Sequence, residues 1–234
     1  MALWHRRWLE QAHRRVAELW RGVEAQHVVA TMRLVDSAAE QQVLEDLLET
    51  SKPPLPSDAA DRHYLLTTPF RYVSTWPSRF RRPNEPGVWY GADSVETACA
   101  EVGYWRWRFL TDSDGLREQA LLLEFTLFQA RVAGQCIDLT LTPWTRADSA
   151  WTSGTDYEEC QRLGTAARES AVDWIRYQSV RDPDCGKCAA VFAPSSLSLP
   201  RLTAQQTWAA KIQRDSVFFK HESESIEFEA TIWH

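Results

Sequence analysis

Phe70-Arg71-Tyr72, then Ser78-Arg79-Phe80-Arg81-Arg82, then Gly87-Val88-Trp89-Tyr90-Gly91-Ala92, then Asp93-Ser94-Val95-Glu96-Thr97-Ala98-Cys99-Ala100-Glu101-Val102 follow one another in mid-chain, and their reading decides the fold. Residues 88–92 form a short β-rich run. It passes directly into a helix over 94–110 that Asp93 or Ser94 can cap, with Glu96 placed to close a capping box. Working outward, short β-rich runs recur at 63–67, 121–128, 136–139, 174–180 and 189–192. A hairpin is predicted from 211–220 and 225–232, and a second helix over 157–170. Strands outnumber helices without regular β-α-β alternation, so a mixed, mainly antiparallel α+β sheet is expected rather than a doubly wound one.

Upstream of Lys52-Pro53-Pro54-Leu55-Pro56 the texture is helical. Trp8, Ala12, Val16, Leu19, Trp20 and Val23 fall at helical spacing and predict an amphipathic helix over 4–33, with a break near Gly22. Ser37-Ala38-Ala39-Glu40 reads as a capping box opening a second helix through Val43, Leu44, Leu47 and Leu48. Residues 1–56 are therefore expected to be an N-terminal helical extension. They should pack on a body spanning 57–234, because two helices alone bury too little core.

The chain of 234 residues carries a net charge of −6, which argues against a protein that coats nucleic acid. It has no apolar run of membrane-spanning length and its start lacks an apolar leader core, so a cytoplasmic location is expected. Five cysteines, an odd set, fit a reducing compartment. Cys185-Gly186-Lys187-Cys188 stands without a second pair or a nearby histidine and reads as a turn with incidental thiols, so no metal is expected. The glycine-rich nucleotide motifs, the zinc-protease motif and the serine-hydrolase elbow are absent.

Against the acidic background, Arg71, Arg79, Arg81 and Arg82 alternate with aromatic rings. Guanidinium forks pair with phosphate oxygens and rings stack on bases, so the segment suits a nucleotide; a solvated loop is the plain alternative. Glu101 falls on one helix face with Ala98, Val102, Trp105 and Phe109, the stripe expected to point inward. An inward carboxylate must be paired, protonated or turned to a solvated cleft. A structural ion pair, a catalytic group and a misread helix face all satisfy that condition. Ser179, in Ile175-Arg176-Tyr177-Gln178-Ser179-Val180-Arg181, has no histidine base near it in sequence, so a hydrogen-bonding role is expected rather than a nucleophilic one.

Together the Phe70-Arg71-Tyr72 opening, Arg79-Phe80, Gly87, Tyr90, Glu101, Tyr157 with Gln161, and the run around Ser179 resemble the RES domain, most closely over 63–200. That family is the toxin half of bacterial toxin–antitoxin pairs. The resemblance implies a fold like that of ADP-ribosyltransferases and the destruction of NAD by phosphorolysis or hydrolysis of the nicotinamide–ribose bond. It assigns Glu101, Arg71 and Arg79 as catalytic, and Tyr72, Tyr90 and Ser179 as substrate-binding. No cofactor is implied beyond NAD as substrate and inorganic phosphate as a co-substrate. The implied partner is a helix-turn-helix antitoxin that blocks the site within an oligomeric assembly. Arg79 follows Arg71 by only eight positions, a short connection for the family. An ADP-ribosyltransferase acting on a macromolecule and a non-catalytic nucleotide-binding module are the alternatives.

Overall fold

The computed structural model describes residues 3–25, 34–59 and 61–233. Its framework is one mixed sheet of eight strands: β1 (His13–Glu24), β2 (Trp89–Ala92), β3 (Leu121–Asp138), β4 (Trp174–Gln178), β5 (Lys187–Val191), β6 (Ala204–Ile212), β7 (Ser216–His221) and β8 (Glu224–Glu229). The order is β1-β2-β5-β4-β3-β6-β7-β8, and β1 also pairs with β3, so the first five strands of that order close into a ring. Every pairing is antiparallel except β3 with β4. The mixed, mainly antiparallel α+β architecture is thus as expected.

Strand β3 is the hub. Its first half pairs with β6, its last three residues pair with β4, and β1 runs along it from Phe125 to Cys136. The runs at 121–128 and 136–139 are therefore one strand. The predicted C-terminal hairpin gains a third strand, β6, and becomes a meander.

The N-terminal helix over 4–33 is corrected. Arg6–Gln11 is a 3-10 turn and His13–Glu24 is a strand, while residues 26–33 lie outside those described. All twelve residues of β1 find a register partner on β3, and this ladder overrides the helical spacing of the apolar side chains. The first half of the predicted extension is thus part of the sheet. The run 63–67 is also corrected: it lies in a helix, Tyr64–Arg71, where the His63 ring accepts the Leu65 N–H and Leu66 is fully buried.

Apart from Tyr64–Arg71, the helices named next follow expectation in place. They are α1 (Ala38–Ser51), α2 (Tyr64–Arg71), α3 (Val95–Asp112) and α4 (Glu158–Glu169). Ser37 caps α1, and Glu40 reaches back to the Asp36 N–H, so the box forms one residue off its usual reciprocal bond. Ser94 caps α3 by accepting the Thr97 N–H at 3.1 Å.

The inward face of α3 is another correction. Ala100, Tyr104, Trp107 and Leu110 are buried, whereas Trp105 and Phe109 are 55% and 53% exposed. Two cores result. Leu19, Trp89, Phe128, Val132, Trp174 and Val191 come from the five ring strands and form one, closed by Leu66 and Leu197. The other, larger core lies where α3 and α4 cover the sheet.

Candidate active site

A cleft of about 310 Å³ opens between α3 and the β1–β2 junction. It exists because β1 and β2 share a single ladder pair, Trp20 with Ala92, and then part. The Tyr90 carbonyl instead accepts from the Arg21 guanidinium at 2.7 Å. The walls approach elsewhere: a side chain at Gly22 would meet Val102 of α3 at 3.0 Å. Ser78, Arg79 and Tyr157 form one side of the cleft, and Tyr177 and Cys188 line it from β4 and β5.

Glu101 lines this cleft from α3. Its Oε1 accepts from the Ser179 hydroxyl at 2.6 Å and the Cys188 thiol at 3.6 Å. No arginine forms a salt bridge with it among the described residues, so the structural ion-pair reading does not hold. The carboxylate is inward-facing because it borders a cavity. The face carrying Ala98, Glu101, Val102 and Trp105 is the cleft face of α3, which explains how an exposed Trp105 shares it.

Arg79 reaches the cleft through a packed support. Gln161 of α4 donates to the Ser78 carbonyl at 3.1 Å, and Gly164 lies so close to the Phe80 carbonyl that a side chain there would collide with it. The guanidinium donates to the Trp151 carbonyl at 2.9 Å and lies over the Tyr157 ring, 4.5 Å from its centre. Burial opposes its charge, but Tyr177, Tyr157, Cys160 and Glu101 outweigh that, and its pKa is raised. Tyr90 accepts the Phe80 N–H at 3.0 Å and shares a 2.8 Å bond with Ser78, so its ring is held rigidly in the cleft wall. Burial also raises the Tyr90 and Tyr177 hydroxyl pKa values, Tyr177 strongly. Both stay neutral donors at physiological pH.

Of the six residues singled out from sequence, Glu101, Arg79 and Tyr90 line the cleft. Ser179 sits behind Glu101, 1% exposed and outside the lining. Arg71 and Tyr72 do not join them. Arg71 donates to the Pro53 carbonyl and to Glu49 of α1 at 2.9 Å, and Tyr72 is exposed at the end of α2. The second arginine in the cleft is Arg21 of β1, with Arg181 as a third. Burial pulls the Arg21 pKa down to about 10, and its Nε has no hydrogen-bond partner. Arg181 lies over the Tyr104 ring and donates to the Tyr157 hydroxyl at 3.1 Å. Trp20-Arg21 was hidden in sequence by the helical reading of β1.

The described residues contain no cluster of His, Cys, Asp or Glu arranged to hold a metal, and no helix long and apolar enough to cross a membrane.

The α+β sheet and its helices thus bring one acid, Glu101, and three arginines, Arg21, Arg79 and Arg181, to the lining of a single cleft. The RES domain model matches residues 55–212, and the chain belongs to that family. No curated protein matches it. Among solved structures, it is similar to a chain of the crystal structure of the M. tuberculosis MbcT–MbcA toxin–antitoxin complex. The TM-score is 0.51 at 15% identity, over 99% of this chain and 94% of that one, a likeness of fold.

Proposed function

We propose that this RES-domain chain is the toxin of a toxin–antitoxin pair and degrades NAD by breaking its nicotinamide–ribose bond. The observation that carries the reading is the placement of the Glu101 carboxylate in one cleft with Arg21, Arg79 and a wall of tyrosines. Nicotinamide leaves as a neutral ring, so no acid has to protonate it. The barrier lies in the cation-like ribose, and a fixed carboxylate beside the anomeric carbon stabilises that charge. Glu101 has this role. Arg79 and Arg21 take the diphosphate, and Tyr90 and Tyr177 wall the ring site. In phosphorolysis an oxygen of inorganic phosphate forms the new bond to the anomeric carbon as the bond to nicotinamide breaks. In hydrolysis water does so and releases a proton.

Family membership and the fold shared with a chain of a toxin–antitoxin complex support the toxin reading; a fold like that of ADP-ribosyltransferases is part of the same proposal. The partner it implies is a protein antitoxin of helix-turn-helix type that closes the cleft. NAD is substrate, and no resident cofactor is called for. The test is to incubate the purified, antitoxin-free chain with NAD, with and without inorganic phosphate, and to identify the products. ADP-ribose carrying a phosphate at the anomeric carbon marks phosphorolysis, and free ADP-ribose marks hydrolysis. Label attached to a macromolecule would mark the transferase alternative. NAD intact in both buffers, with the chain folded, contradicts the proposal.

A further inference from the structure

Ser179 is buried and outside the cleft lining, although it touches Glu101, which lines it. Its oxygen accepts the backbone N–H groups of Arg181 and Asp182, both at 3.1 Å. Those two donors occupy its lone pairs, so its own proton goes to Glu101 Oε1 at 2.6 Å. From β5, the Cys188 thiol reaches the same oxygen at 3.6 Å. Burial, with the neighbouring Glu101 charge, pushes the thiol pKa well above its usual range, so Cys188 keeps its proton and acts as a donor.

The frame around this pair is tied to the helix that carries Glu101. Asp182 accepts from the Thr97 hydroxyl at 2.7 Å and from the Gly186 N–H at 3.2 Å. Thr97 lies one turn before Glu101 on α3. The Ser179 N–H donates to the Gly186 carbonyl at 2.8 Å, and Cys188 pairs with Tyr177 across β4 and β5. Loop, strand and helix thus hold both donors on one carboxylate oxygen.

We propose that Ser179 and Cys188 are positioning residues that act through Glu101: both donate to Oε1, lock the carboxylate in one orientation and leave Oε2 to meet the ribose. This rests on the reading of Glu101 given above. It moves Ser179 from substrate binding to support, and gives a role to a cysteine that sequence spacing had marked as incidental.

The experiment compares steady-state NAD kinetics of Ser179→Ala, Cys188→Ala, Cys188→Ser and Glu101→Gln, each with its thermal melt, together with the infrared S–H band of Cys188 in the parent and in Glu101→Ala. Loss of one charge-assisted bond should lower kcat about 10- to 100-fold in Ser179→Ala, with KM within about 2-fold. Cys188→Ala should lower kcat about 3- to 10-fold, and Cys188→Ser should restore most of it. The S–H band, assigned by its loss in Cys188→Ala, should move to higher wavenumber in Glu101→Ala as the thiol loses its acceptor. If Ser179→Ala fails to fold, the two Cys188 variants and the band decide. Inactive Glu101→Gln beside fully active Ser179→Ala and Cys188→Ala overturns the positioning role alone. So does an S–H band unmoved in Glu101→Ala, or a Ser179→Ala defect confined to KM. Full turnover by Glu101→Gln overturns the reading of the site itself.

Discussion

Arg71 donates to the carboxylate of Glu49 at 2.9 Å, clamping the end of α2 to the end of α1 outside the cleft. Arg21 and Arg79 line the cleft instead. Arg71→Ala should therefore leave NAD turnover within about 2-fold of the parent. Arg79→Ala and Arg21→Ala, each removing a cation from a largely desolvated wall, should lower kcat/KM by about 100-fold or more. Parallel kinetics on the three variants checks this ordering. A severe catalytic loss in folded Arg71→Ala would return that residue to the site.

Gly164 packs on the Phe80 carbonyl, where backbone has no room to yield to a side chain. Gly164→Ala should push α4 off the segment that presents Arg79. Overpacking of this kind costs about 1–3 kcal/mol, read as a lower midpoint in denaturant unfolding. Activity should fall along with stability, because Gln161 and Phe80 move together.

The Thr97 hydroxyl and Asp182 form a buried bond at 2.7 Å between α3 and the loop after β4. Thr97→Val keeps the shape and removes the donor. The change should cost about 1–3 kcal/mol, since the Asp182 carboxylate loses a partner in a buried setting. Chemical denaturation measures the loss.

Asp138 accepts from Thr140 and from Arg176 at the end of β3. Burial opposes its charge, but the Thr140 bonds and Arg176 outweigh it, and the carboxyl pKa is lowered. A depressed folded-state pKa gives stability that is present above the unfolded value, about 4, and is lost as pH falls through the folded value. Stability of the parent should therefore decline below about pH 4, and Asp138→Asn should flatten that limb while being less stable at neutral pH. Thermal melts from pH 2 to pH 7 supply the comparison.

Much of this molecule was legible where local chemistry and tertiary structure agree. The Ser94 cap, the strand running into α3 and the mainly antiparallel sheet followed from turn and cap residues that act on their own neighbours. Segment 13–24 was not legible. Its apolar residues suit one helix face, and only the long partner β3 makes it a strand. With it went Arg21, while Arg71 was assigned to the site by resemblance to the family's arginines. Nothing in the sequence pairs Arg71 with Glu49, the contact that holds it outside the cleft. On α3, small and apolar residues surround the first turns, so spacing placed Glu101 on the right face but took the cleft for the core. Ser179 was expected to touch ligand. Its place behind Glu101 depends on two backbone N–H groups that no side-chain pattern reveals.

In the proposed function the Glu101 carboxylate drives loss of nicotinamide from NAD bound in this cleft. Nicotinamide release by the parent chain and by Glu101→Gln, with matched folding and inorganic phosphate present, tests it most directly. The parent should release nicotinamide steadily and the variant about 1,000-fold or more slowly, as expected when a preorganised electrostatic group is removed. Equal release by both, or none from the folded parent, would contradict it.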